Sequence, residues 1–312
     1  MVAEARPRYH RGVVDPNARD RAAGCILGLA LGDALGAARE GSEPGPFRWE
    51  GEVPLHYTDD TEMTIGLVET LLDDGRVDQD HLAARFAANY TSWRGYGPGT
   101  RRTIRLMREG RPWREASRSP GSLGNGAAMR AAPVGPFCYG DAAAIRAMSD
   151  LQAEVTHTHP LGKEGAAVVA FAAGFAYQDP RSPGDCLLED LIRFTVEDSY
   201  REKFRVALAC LARPHDPDRV ISELGNRAEA LESAPTAIYL FARFGDDFEA
   251  AVAAAIELGG DTDTIAAMAG AMVGTRVGAS ALPPIPLERL EDRFWLEAMA
   301  LRYSSLVASR SA

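Results

Sequence analysis

Three observations predict an all-α protein. Alanine-rich segments carry apolar residues at three-and-four spacing from about residue 20 to the end. Alternating β-branched runs, the mark of half-buried strands, are almost absent. Clusters of glycine and proline cut the chain at intervals, and none is long enough to serve as an interdomain linker, so a single domain is expected.

The opening stretch MVAEARPRYHRGVVDPNAR is polar and has no apolar core of the secretory-signal kind. It reads as a flexible arm over 1–19, ahead of a domain over 20–312. The spacing then predicts helices over 20–37, 61–73, 78–92 and 99–109, broken by EGSEPGPFRWEGEVP at 40–54 and YGPG at 96–99. After SPGSLGNG at 119–126, helices are expected over 141–153, 162–177 and 185–211, with RSPG at 181–184 between the last two. The remaining helices fall at 235–243, 246–258, 263–278 and 286–307, the last following LPPIP at 282–286.

Composition narrows the function. With 312 residues, 46% of them hydrophobic, the chain can bury a sizeable core. A net charge of -10 and a pI near 5.2 argue against a protein built to hold a phosphate backbone nonspecifically. Cys25, Cys138, Cys186 and Cys210 show no CxxC spacing and sit among apolar or small residues, as buried thiols of a reducing, cytoplasmic protein do. No run of about 18 uninterrupted apolar residues appears, so no membrane span is expected.

The chemistry concentrates in a few short motifs. LGGDTDTIAAMAGAMVGTRVG at 258–278 sets Asp261, Asp263, Thr262 and Thr264 at the start of a helix of small apolar residues. YTDDTEMT at 57–64 repeats the idea with Thr58, Asp59 and Asp60. Either cluster alone could be no more than a generous N-cap, because acids satisfy free N–H groups and face the positive end of the helix dipole. One acid suffices for that. Crowded carboxylates repel, and an all-oxygen donor set suits a hard cation such as Mg²⁺, Mn²⁺ or Ca²⁺ rather than zinc.

In GLALGDALGAARE at 28–40, Gly28, Gly32 and Gly36 recur every four residues, which lets another helix approach closely. That accounts for the glycines but not for Asp33 or Glu40, the latter at a helix end where negative charge opposes the dipole. SLGNGAAMR at 122–130 is either a plain Gly-rich turn or a loop whose free N–H groups cradle a phosphate or sugar. In THTHP at 156–160, two alternating histidines do not make a zinc site, which leaves a ligand contact or a core residue.

Taken in order, these five motifs resemble those of the ADP-ribosylglycohydrolase family, which includes the dinitrogenase reductase-activating glycohydrolases. The resemblance runs from about residue 20 to 280. It implies a single compact orthogonal helical bundle with a cleft holding two Mg²⁺ or Mn²⁺ ions. By the family motif, one ion would be held by Thr58, Asp59, Asp60 and Asp263, and its neighbour by Asp261, Asp263 and Thr264, with Asp263 bridging. Asp33, Ser122, Gly124, Asn125, Gly126, Met129 and His157 would contact substrate, Glu40 or Asp60 would handle the proton, and 41–57, with Phe47, Trp49 and Tyr57, would form a flap.

The implied reaction is hydrolysis of the glycosidic bond between ADP-ribose and a modified side chain, by a monomer acting on ADP-ribosylated protein or ADP-ribose, with no nucleic-acid or membrane partner. Arginine-linked substrate is expected, since THTHP and the short flap resemble the bacterial-type branch; serine-linked, small-molecule and nucleic-acid adducts stay open. Another dimetal hydrolase is disfavoured because the motifs hold few basic residues, Arg130 among them, and a non-catalytic relative because every matched ligand position is kept.

Overall fold

The computed structural model describes residues 17–49, 51, 54–117, 121–139 and 141–310; the expected arm over 1–16 lies outside them. Among the described residues the regular structure is helical, with two isolated β-bridges, Leu55 to Leu290 and Gly124 to Glu229. The helices are α1 (Ala18–Gly36), α2 (Asp59–Asp74), α3 (Gln79–Asn89), α4 (Pro98–Arg108), α5 (Trp113–Ala116), α6 (Val134–Phe137), α7 (Ala142–Glu154) and α8 (Pro160–Gln178). They continue as α9 (Gly184–Phe194), α10 (Asp198–Leu211), α11 (Pro217–Glu223), α12 (Ala230–Phe244), α13 (Phe248–Glu257), α14 (Thr262–Val277), α15 (Pro284–Arg289) and α16 (Arg293–Arg310). Ala18 and Arg19, expected in the arm, already belong to α1.

The architecture is organised by α1 and α14, which pack antiparallel along their lengths. The four-residue glycine spacing is the cause. A Cβ built on Gly32 would stand 2.8 Å from the Ala266 carbonyl carbon, and one on Gly36 would stand 2.6 Å from the Asp263 Cα. Gly270 and Gly274 on α14 return the close approach against Gly28 and Gly24. Backbone therefore meets backbone, and the C-terminal end of α1 is held against the N-terminal end of α14.

Around this pair, α16 and the 3-10 turn Ala279–Ala281 cover α1, while α8, α12 and α13 cover α14. Ile265, Met268 and Met272 on α14 are fully buried, each worth about 1.5–3 kcal/mol of apolar transfer. By length and hydropathy, the helical stretch Ala18–Arg39 could cross a membrane, but 83% of its most apolar window is buried inside the protein. It is apolar on all sides because it is a core helix.

Several boundaries differ from expectation. The segment predicted as one helix over 185–211 is two, interrupted at Thr195–Glu197, where the Val196 N–H turns to the Glu164 carboxylate at 3.0 Å. The segment 286–307 also divides, at Asp292, whose φ of 52° is left-handed. Pro235 was expected to open its helix; it lies inside α12, which begins at Ala230. The short α5, α6 and α11 carry too few turns for a periodicity to emerge. Of the cysteines, all free, Cys25, Cys138 and Cys210 are buried as expected, but Cys186 is exposed.

Candidate metal centre

The chain begins α2 at the aspartates rather than after them. Thr58 is the N-cap in extended conformation, its hydroxyl accepting from the Asp60 N–H at 3.4 Å, and Asp59 and Asp60 form the first turn. What fixes this turn in space is Asp33, fully buried on α1. Its carboxylate accepts from the Thr58 N–H and Thr61 N–H, each at 3.0 Å, from the Thr58 hydroxyl at 2.8 Å and from the Thr61 hydroxyl at 2.5 Å. The Asp59 N–H donates to the Arg94 carbonyl at 2.8 Å.

The second helix start lies opposite. Gly259 and Gly260, with φ of 64° and 71°, bend the chain into α14 by a path that L side chains resist. The Asp261 N–H donates to the Asn226 carbonyl at 2.9 Å, and its carboxylate accepts from the Asn125 side-chain amide, which also donates to the Ser233 hydroxyl at 2.9 Å. Thr264 donates its hydroxyl across the gap to Asp60 at 3.4 Å. Glu40 follows the short turn Ala37–Arg39 that extends α1, and its carboxylate accepts from the Thr262 N–H at 3.0 Å. An acid disfavoured at the end of one helix thus meets the positive end of another.

Two acidic groups result, each with ligand atoms within 4.8 Å of one another: Asp33, Asp60 and Asp263, and Glu40, Asp261 and Asp263. Asp263 belongs to both. Asp59, at 8% exposure, stands beside the first group, with one carboxylate oxygen near Gly95. Among the described residues, no lysine, arginine or histidine forms an ion pair with any of these six acids. Burial, and then the Asp263 charge, pushes Asp33 and Asp261 up to about 7 and holds Asp59 and Asp60 well above the carboxylate range. Glu40 is pushed up to about 9 by desolvation, by a hydrogen bond with Asp263 and by the charges of Asp263 and Asp261. Asp60 Oδ1 is buried with no hydrogen-bond partner. An all-oxygen cluster with an orphaned oxygen and uncompensated charge fits hard divalent cations.

The glycine-rich loop lies on the Asp261 side. The Ser122 hydroxyl accepts from the Gly124 N–H at 3.1 Å, and the Asn125 N–H donates to the Ala228 carbonyl at 3.0 Å. The Gly126 and Ala127 N–H groups meet no acceptor among the described residues. Met129 is buried in the core. His157 lies buried beneath the loop, its Nδ1 2.8 Å from the Thr156 hydroxyl, and a Cβ on Gly126 would come within 2.8 Å of its Cε1. Burial and the nearby Arg130 push His157 down to about 3, so it is neutral.

Arg130 does not pair with the acids. It is fully buried and donates to the Gly126 carbonyl at 2.5 Å, to Gln152 Oε1 at 2.8 Å and to the Thr156 hydroxyl at 2.9 Å, pinning the loop from below. Of the expected flap, Gly41 and Ser42 bond the backbone of Gly260, and Glu257 receives the Gly45 and Phe47 N–H groups. Phe47 and Trp49 are part-buried against the core, while Glu50, Glu52 and Val53 lie outside the described residues. Tyr57 packs: the Arg94 guanidinium sits 3.9 Å over its ring, and its hydroxyl donates to Asp292 at 3.2 Å. Thr61, Asn226 and Ser233 were not anticipated. Thr61 shares a helix face with Thr58, which is a local signal, whereas the other two act only through contacts distant in sequence.

The ADP-ribosylglycohydrolase family profile matches residues 14–312. The chain is 32% identical to ADP-ribosylhydrolase ARH3 of Mus musculus, over 83% of this chain and 84% of the relative. It is 28% identical to ADP-ribosyl-[dinitrogen reductase] glycohydrolase of Rhodospirillum rubrum, over 88% and 92% of the two chains. A solved structure described as an ADP-ribosylglycohydrolase-related protein complex superposes with a TM-score of 0.74 at 30% identity, over 93% of this chain and 99% of that one.

Proposed function

We propose that this chain, which belongs to the ADP-ribosylglycohydrolase family, is a metal-dependent enzyme that releases ADP-ribose from arginine side chains. It is a glycosidase-type hydrolase of ADP-ribose linkages. The observation that supports the metal dependence is the convergence of five carboxylates in two groups that share Asp263, with Asp59 beside them and, among the described residues, no cationic side chain paired to any of them.

Thr58, Asp59, Asp60, Asp261, Asp263 and Thr264 would hold the cations. Two Mg²⁺ or Mn²⁺ ions there would supply positive charge against the carboxylates and Lewis acidity toward ribose hydroxyls and water. Asp33 orients the first turn of α2 by accepting four hydrogen-bonding groups from Thr58 and Thr61, and Asn125 orients Asp261. The part-exposed Gly126 N–H would be available to a pyrophosphate oxygen. Cleavage passes through an oxocarbenium-like state, so a water must lose a proton as it attacks C1 of the ribose. Asp60 is 1% exposed and already accepts from the Thr264 hydroxyl, whereas Glu40 is exposed at the mouth of the cluster. Glu40, whose carboxyl would ionise once bound cations offset the Asp263 and Asp261 charges that raise it, is therefore assigned the proton transfer and its exchange with solvent.

The charge of the site supports the arginine linkage. A ribosylated guanidinium is cationic before cleavage and departs as a neutral guanidine, without a proton donor, whereas a serine alkoxide requires one. The test is release of free ADP-ribose from arginine-modified and serine-modified protein, each with Mg²⁺, Mn²⁺ or EDTA. Chelator-sensitive release from the arginine substrate is expected. Release from the serine substrate alone overturns the linkage, and release undiminished by EDTA overturns the metal.

A further inference from the structure

The charge of this acidic chain is segregated. Between Pro98 and Ser117 stand six arginines, Arg101, Arg102, Arg105, Arg108, Arg111 and Arg114, against two acids, Glu109 and Glu115, although the whole chain carries -10. Thr100, Thr103 and Ile104 on α4 are buried, and the opposite arc, with Arg101, Arg102, Arg105 and Arg108, is exposed. Little neutralises it. Arg105 meets Glu109 at 3.7 Å and is 70% exposed, Arg108 sits 5.6 Å over the Tyr90 ring, and Arg101 donates to the Tyr96 carbonyl at 2.8 Å.

This helix starts at the rim of the acidic centre. Gly95, just before it, lies against Asp59 and Thr58, and Thr100 in its first turn lies against Gly126 of the glycine-rich loop. A substrate chain whose modified residue enters the centre can run outward along α4.

Building on the ADP-ribosylhydrolase reading, we propose that the arginine face of α4 docks an acidic polypeptide segment flanking the modified residue. Arg101 and Arg105 are four residues apart, a rise of about 6 Å, close to the ~6.6 Å between alternate side chains of an extended peptide. Glutamates or aspartates at alternate positions would meet successive arginines, whose planar forks pair with carboxylates. The occupant is a short extended peptide because this spacing matches alternate residues and the arginine face of α4 extends only ~16 Å, the length of an 11-residue helix.

The test measures binding of an unmodified, fluorescently labelled peptide of alternating glutamate and glycine, so that it reads docking without turnover. Wild-type protein at low salt should bind it about tenfold more tightly than the variant Arg102→Gln/Arg105→Gln/Arg108→Gln, the product of three weak exposed pairs, and salt should remove the difference. Circular dichroism checks that the variant is folded. With ADP-ribosylated acidic peptide, KM should rise in the variant while kcat and hydrolysis of a small ADP-ribosylated guanidine stay unchanged. Equal binding by the two proteins overturns the proposal. So does an oligonucleotide that displaces the peptide and binds in the same salt-dependent way, since the face would then read phosphate. Loss of turnover with docking intact would instead count against the hydrolase reading.

Discussion

Replacing Asp263 with asparagine should make the metal-free protein more stable, not less. The side chain keeps its shape and an oxygen for the Thr264 N–H, which it now meets at 2.7 Å, but loses its charge. After burial itself, that charge is the leading cause of the raised pKa at Asp33, Asp59, Asp60 and Asp261. Asp33 and Asp261 each rise from 3.8 to about 7. If relief amounts to about one unit at each of two neighbours, at about 1.36 kcal/mol per unit, the gain is ~2–3 kcal/mol. For 312 residues, unfolding entropy of about 2.1 cal/mol/K per residue converts this to a Tm increase of ~3–5 °C. The sign depends on pH. A carboxylate whose folded pKa is raised costs nothing below its unfolded value near 4 and most above its folded value, so the gain belongs at pH 8 and should vanish near pH 4. Added Mg²⁺ at a hundred times Kd should raise wild-type stability by about 2.7 kcal/mol, or ~4 °C, and the variant by almost nothing. Differential scanning fluorimetry in EDTA and in Mg²⁺, at both pH values, reads all four states. A metal-free variant several degrees less stable than wild type at pH 8 would refute the reasoning and make Asp263 an ordinary helix cap.

In EDTA, wild-type Tm should fall as pH rises from about 4 through 7 toward 9, following the raised pKa values of Asp33, Asp261 and Glu40, and Mg²⁺ should flatten the slope; a flat profile in EDTA counts against charge crowding. Gly32→Val should force α1 and α14 apart, because even a Cβ there stands 2.8 Å from the Ala266 carbonyl carbon; a loss of ~1–3 kcal/mol by urea unfolding, with weaker metal stabilisation, is expected. Arg130→Met should leave the Gly126 carbonyl and Gln152 Oε1 buried without donors, at ~1–3 kcal/mol each, and titration calorimetry should show weaker ADP-ribose binding as the loop loosens.

Which parts of this molecule were legible in the sequence follows from where each residue's partner lies. The long helices were readable because apolar spacing is local, and so was the close approach of another helix to α1, because Gly28, Gly32 and Gly36 leave one face bare; that the partner is α14 was not, since nothing local names it. The break at Thr195–Glu197 was not, since the Glu164 carboxylate that receives the Val196 N–H belongs to α8 and periodicity continues across the gap. The acids were legible for the opposite reason: they are locally unreasonable. Two aspartates exceed what one helix start needs, and Glu40 opposes the dipole of the helix it follows, until the fold brings it to the Thr262 N–H of another. Arg130, Asn226 and Ser233 break no local rule. Arg130 holds the Gly126 carbonyl while it is itself fixed by Gln152 and Thr156, Asn226 accepts the Asp261 N–H and Ser233 accepts from the Asn125 amide, and these long-range partners are not written in their own neighbourhoods. The two classes should therefore respond oppositely to substitution. Neutralising a locally unreasonable acid relieves stored repulsion and removes function, whereas removing a locally ordinary support costs stability first and function through it.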